Sequence, residues 1–152
     1  MIHKAEKENN DVERFINPSN QDYIQALKEI KNGKKETHWI WYIFPIMKGL
    51  RNSNISKFYG IKDLQEAKYF LNHEILGKRL IEITQVLLDL QTDNLVEIFG
   101  DIDAKKIQSC MTLFYLASDK KMKLFINVLN KYCNGNFCDK TIELLKLKES
   151  FK

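Results

Sequence analysis

Apolar residues recur at intervals of three and four along nearly the whole 152-residue chain, and no segment pairs convincingly as a strand with another. That spacing commits the sequence to helices. The clearest stripe is Leu76, Leu80, Ile83, Leu87 and Leu90, expected to lie on a long central helix. Around it the same logic predicts a helix capped by Ser19, carrying Tyr23, Ala26, Leu27 and Ile30, and stopped at Asn32-Gly33. Asp63, with Glu66 three positions on, opens another with Leu64, Ala67, Phe70 and Leu71 on its buried side. A short helix restarted at Thr92 or Asp93 ends at Phe99-Gly100, and Asp101 or Asp103 opens the next, through Ile107, Met111 and Phe114. Met122, Phe125, Ile126, Leu129 and Tyr132 mark a further helix closed at Gly135, and Asp139 caps the last. The expected fold class is all-α: a single compact domain of seven to eight short helices, residues 13–152, after a loose segment 1–12.

One segment tests this reading. His38-Trp39-Ile40-Trp41-Tyr42-Ile43-Phe44-Pro45 has the residue types of a strand, but a lone strand would have no partner. A short helix entered from Thr37 is expected, because Trp39 with Tyr42 and Ile43 are helical neighbours. A loop at Gly49 and 52–54 and a short helical turn to Tyr59-Gly60 follow.

Composition narrows the functional classes. With 44% hydrophobic residues, 6 Gly and 2 Pro, the chain is neither disordered nor collagen-like, and it has no apolar run long enough to span a bilayer, so no membrane association is expected. Three cysteines, Cys110, Cys133 and Cys138, are too few for a disulfide framework and lack the spacing of a zinc site, so neither a metal nor another cofactor is expected. The start MIHKAEKENND lacks a signal-peptide core, and a cytoplasmic location follows as the expectation. The net charge of +4 falls in the C-terminal third, around Lys105, Lys106, Lys120, Lys121 and Lys123. No nucleic-acid-binding motif accompanies these lysines, so nucleic acid is an unlikely partner.

Eight of the chain's seventeen aromatic residues lie between 36 and 70. They form either the thickest part of a core or a wall for a flat ligand, and His38 beside two indoles suits a mixed polar and apolar rim. A second constellation is Lys106, Ser109, Cys110, Met111, Thr112, Leu113 and Phe114, on a helix apolar all round. There the hydroxyls of Ser109 and Thr112 bond either a carbonyl one turn back or a ligand phosphate or ribose, with Lys106 and Arg79 as candidate charges. His73, at a helix junction, suits an end-capping donor better than a catalyst. Signatures of hydrolases, P-loops, zincins and Rossmann folds are absent.

The string from His38 to Pro45, Gly49-Leu50, Tyr59-Gly60-Ile61, Leu76-Gly77-x-Arg79-Leu80, Ile98-Phe99-Gly100 and Lys106-x-x-Ser109-Cys110-Met111-Thr112-Leu113-Phe114 together resemble the domain-of-unknown-function 1810 family, over about Phe15 to Leu145. The resemblance implies a small all-helical, mostly bacterial protein of unestablished function. It marks His38, Trp39, Trp41, Arg79, Lys106, Ser109 and Thr112 as candidate ligand-binding residues. The calpastatin label some members carry suits a long disordered inhibitor, which this composition is not. Ile46, where the family commonly has Gln, and Cys110, where it commonly has Ser, are departures.

Two functions fit these residues. One is a pocket for a nucleotide-like or ADP-ribose-like small molecule, with His38 as candidate general base for its hydrolysis. The other is a non-catalytic module that docks a protein or nucleic acid through an exposed aromatic surface or the C-terminal lysines.

Overall fold

The structure, a computed structural model, describes residues 11–150. Of the expected loose segment 1–12, only Asp11 and Val12 fall among the described residues. They begin a helical turn at 11–13, and Val12 is buried. Eight helices follow: α1 (Ile16–Lys31), α2 (Ile40–Ile43), α3 (Asn54–Tyr59), α4 (Leu64–Asn72), α5 (Leu76–Asp89), α6 (Leu95–Ala117), α7 (Lys123–Cys133) and α8 (Asp139–Ser150). The fold is all-α. Strand-like pairing among the described residues is confined to one parallel bridge between Met47 and Ile61.

The central element is α6, not the stripe of α5. Residues 109–115 of α6 are buried all round, whereas α5 buries Leu76, Leu80, Ile83 and Leu87 and exposes Lys78, Glu82, Gln85 and Asp89. A regular amphipathic stripe belongs to a helix with one wet side; a helix enclosed by neighbours loses the pattern because every face is apolar. Helices α4, α7 and α8 pack on α6, while α5 bridges α1, α4 and α7. A row of rings runs through the core: Phe15 to Phe70 at 5.1 Å, Phe70 to Phe114 at 5.4 Å, and Phe114 to Phe125 at 6.2 Å.

Helix ends follow local chemistry, with three departures from the expected boundaries. Helix α1 begins at Ile16, ahead of the expected cap Ser19, because Pro18 fits the first turn, where its missing N–H has no partner to lose. Ser19 instead accepts a hydrogen bond from Arg79 Nη1 at 2.9 Å. Helix α6 is capped by Asn94, whose Oδ1 accepts from Glu97 N, while Thr92 Oγ1 accepts from Asn94 N. Trp39, not Thr37, precedes α2 as its cap residue. The Asp63 cap holds: its Oδ1 accepts from Glu66 N at 2.8 Å.

Gly100 breaks α6 without ending it. Its φ of 80° and ψ of 170° lie in a region open almost only to glycine, so the chain turns between Phe99 and Asp101 and resumes as helix. This turn presents Asp103 and Lys106 to the segment between α1 and α2.

Candidate functional site

The site is organised by a loop held down by one buried carboxylate. Gly33, at φ 77°, ends α1 and sends residues 34–39 back over it. Glu29, 3% exposed, then accepts hydrogen bonds from Glu36 N (2.7 Å), Thr37 N (2.9 Å), Thr37 Oγ1 (2.6 Å), Gln25 Nε2 (2.9 Å) and Trp39 Nε1 (2.9 Å). Burial alone would raise its pKa, but these donors outweigh burial and hold it down at about 2. Trp39 is thereby fixed inside the protein at 1% exposure, its ring 6.2 Å from that of Phe44. Phe44 in turn meets Phe99 edge-on at 6.0 Å, which ties the end of α2 to the first turns of α6.

Lys35 leaves the same loop in the opposite direction. Its N–H donates to Ile98 O at 2.8 Å, and its ammonium lies 3.1 Å from Asp103 Oδ2 and 5.2 Å from the centre of the Trp39 ring. Lys106, one turn beyond Asp103, reaches Asp103 Oδ1 at 2.9 Å and stands over the Trp41 ring at 4.0 Å. Two ammonium groups, each with a side chain only 9% exposed, share one carboxylate between two indoles. Burial pushes the Asp103 pKa upward, but its hydrogen bonds to Lys106 and Lys35 prevail and lower it. Trp41 keeps part of its surface exposed, and His38, exposed three residues earlier, uses its backbone carbonyl to accept from Tyr42 OH at 3.2 Å. The phenol of Tyr42 also donates to Asp22, and burial together with this carboxylate raises the Tyr42 pKa.

The seven candidate residues therefore separate into three places. His38, Trp39, Trp41 and Lys106 belong to one region, the two indoles joined through the lysines and Asp103. Arg79 lies elsewhere, on α5, where Nη1 donates to Ser19 Oγ and Asn20 Oδ1 and the guanidinium stacks 5.4 Å from the Tyr23 ring. Ser109 and Thr112 take the bland alternative: their hydroxyls donate to Lys105 O at 3.0 Å and Gln108 O at 2.8 Å, each one turn back. They also hold the turn between α7 and α8, since Thr112 Oγ1 accepts from Cys138 N at 2.9 Å and Ser109 Oγ lies 3.3 Å from Cys138 Sγ.

His73 caps as an acceptor, not the expected donor. Its Nδ1 receives Ile75 N and Leu76 N at the start of α5. Lys35, Asp103 and Glu29 escaped sequence reasoning because none stands in a motif. The i, i+3 spacing of Asp103 and Lys106 is the one available signal, but by residue type Asp103 suits a helix start and Lys106 a ligand charge, and nothing in the sequence joins them to Lys35. Trp39 and Phe44 are each 1% exposed, so these rings form no exposed apolar patch for a partner.

A wider groove of about 570 Å³ lies apart from the indoles, between Asp93–Val96, the α6 face of Asp101, Ala104, Lys105 and Gln108, and Lys131–Asn134. Its floor is closed by Lys131, which donates to Leu88 O and Leu90 O, and by Tyr132 OH, which donates to Leu87 O. Among the described residues, no cluster of three or more His, Cys, Asp or Glu side chains has a metal-binding arrangement, and no helix is long and apolar enough to cross a membrane.

Comparison with known proteins supplies a family. No curated protein matches the chain. Its fold is shared with the conserved hypothetical protein Rv1873 of Mycobacterium tuberculosis, at 38% sequence identity and a TM-score of 0.86 over 90% of this chain and 96% of that one. The family model described as "Protein of unknown function (DUF1810)" matches residues 9–145. With nearly its whole length so matched, the chain belongs to the DUF1810 family, which is defined by its sequence and not by any known activity.

Proposed function

We propose that the protein binds a nucleotide-like or ADP-ribose-like small molecule at the edge of the indole and lysine cluster, where Trp41 is partly exposed. The observation that carries this reading is the sharing of one carboxylate, Asp103, by two nearly buried ammonium groups that each face an indole. An anionic ligand meeting Lys106 would complete the charge that Asp103 alone leaves unbalanced, and a flat ring would stack on the remaining face of Trp41. His38, exposed three residues before Trp41, is the general base this reading assigns to hydrolysis of the ligand. Ser109 and Thr112 contribute indirectly, by fixing the helix that carries Lys106. Arg79 stands outside the contact set.

Both tryptophans of the chain, Trp39 and Trp41, lie in the cluster, so intrinsic fluorescence reports on this region alone. Titration with ADP-ribose, NAD and mononucleotides is expected to give a saturable change for at least one of them, reduced in Lys106→Met. No response at millimolar ligand ends this reading. Product analysis after prolonged incubation, wild type against His38→Ala, separates hydrolysis from binding alone.

A further inference from the structure

Between Glu36 and Asp63 the chain has no acidic residue, while Lys48, Arg51, Lys57 and Lys62 fall within that stretch. The fold closes the stretch on itself. Lys48 N donates to Ile61 O at 2.8 Å and Ile61 N to Ile46 O at 2.9 Å, so residues 46–48 and 60–61 lie side by side. The approach requires glycine at position 60, where a Cβ would come within 2.7 Å of Lys48 Cα. Lys48 and Lys57 thereby line one concavity of about 250 Å³.

The floor of this concavity is rigid and already neutral. Arg14 clamps Glu66 through both terminal nitrogens, at 2.9 and 3.1 Å, and donates to Phe58 O at 2.8 Å and Gly60 O at 2.9 Å. At the rim, Lys62 pairs with Asp11, and both side chains stay substantially exposed. Lys48 and Lys57 form no ion pair among the described residues, so the pocket carries two unbalanced positive charges. Beside them Phe58 presents an unusually open ring, 59% exposed, and Ile55, one turn earlier on α3, is 44% exposed. Exposed aromatic surface next to unpaired cations is the combination that recognises a phosphate attached to a flat ring.

We infer that this concavity is a second anion site, separate from the indole cluster, which takes a phosphate ester bearing an aromatic base. Lys48 and Lys57 hold the phosphate over the Arg14 and Glu66 floor, and Phe58 stacks the base. The same chemistry comes from a free nucleotide or from one residue of a single strand.

Calorimetric titration of the full chain at low salt, with inorganic phosphate, a 5′-mononucleotide and single-stranded oligothymidylate as probes, tests this. The mononucleotide is expected to bind more tightly than phosphate, and Phe58→Ala to remove that advantage, about tenfold, while leaving phosphate binding unchanged. The pair Lys48→Ala with Lys57→Ala should weaken all three probes at least tenfold. The control pair Lys120→Ala with Lys121→Ala, exposed lysines elsewhere, should weaken none. Tighter binding of the oligonucleotide, with a steeper salt dependence, identifies a strand as the source; equal binding per nucleotide identifies the free molecule. Equal loss in the control pair, or a mononucleotide no tighter than phosphate, overturns the assignment. Because the tryptophans lie in the other site, a fluorescence response that survives in the Lys48 and Lys57 variant keeps the two proposals independently testable.

Discussion

The ammonium of Lys106 stands 4.0 Å from the centre of the Trp41 ring while its other side meets Asp103 Oδ1 at 2.9 Å. A cation held between an indole face and a carboxylate is immobilised at low exposure, and its removal differs from removal of its counterion. Lys106→Met keeps the stem and leaves Asp103 paired with Lys35, so a loss of about 1 kcal/mol is expected. Asp103→Ala leaves two nearly buried ammonium groups facing each other, and about 3 kcal/mol is expected. Urea denaturation of the two variants at neutral pH checks the order, and equal losses would falsify it.

Glu29 makes stability pH-dependent in a known direction. Its carboxyl titrates near 4.5 when unfolded and at about 2 in the fold, so its contribution is fully present above about 4.5 and is lost as pH falls toward 2. Glu29→Ala strands the buried indole N–H of Trp39 and removes the acceptor of the part-buried donors of Glu36 and Thr37, and is expected to cost about 2 to 3 kcal/mol at pH 7. Denaturation midpoints measured from pH 7 down to pH 3 should fall less steeply in the variant than in the wild type. Parallel curves would show that another group governs the acid limb.

Two glycines resist substitution for different reasons. At Gly77, a Cβ would lie 1.9 Å from Leu71 O, a backbone atom that cannot move aside, so Gly77→Ala is expected to destabilise by about 3 kcal/mol or more despite the better helix propensity of alanine. At Gly100 nothing lies within 4 Å, and only the backbone angle opposes a side chain. Gly100→Ala should therefore lose about 1 to 3 kcal/mol from strain alone. Thermal melts of both variants distinguish the clash from the strain, the first being the larger.

Thr112→Val removes the acceptor for Cys138 N and should lower stability by about 1 to 2 kcal/mol, whereas Ser109→Ala, whose bonds are to a carbonyl one turn back and a thiol, should cost less than 1. Neither should change the fluorescence titration midpoint at a temperature where both variants are folded. A tenfold weaker ligand response in a fully folded Ser109→Ala would place its hydroxyl on the ligand.

Much of the fold was legible because it rests on local rules. The Asp63 cap, the break at Asn72-His73, the interruption at Gly100 and the closure at Gly135 depend on residues within one or two turns of each other. Ser19 shows the limit: its residue type suits a cap, but Pro18 fits the first turn so well that the helix starts earlier, and Ser19 serves Arg79 on another helix. The candidate site was legible only in part for the same reason. Two indoles and a motif lysine stand out in a string of letters. The lysine and carboxylate that complete their surroundings, Lys35 and Asp103, are ordinary charges until α6 is folded against the loop.

The sequence by itself determined that this chain is all-helical, where its helices break, and which family it resembles, because three-and-four spacing, glycines and capping residues act through neighbours along the chain. Only the tertiary structure decided which helix is central, that Ser109 and Thr112 bond backbone, and that Arg79 lies apart from Lys106. The position of the central helix and of Arg79 depends on contacts between distant residues, such as Arg79 with Ser19, 60 positions apart, where burial and charge pairing select the partners and periodicity carries no information. The Ser109 and Thr112 bonds reach only four positions back, and there the fold decided between two partners the sequence allowed.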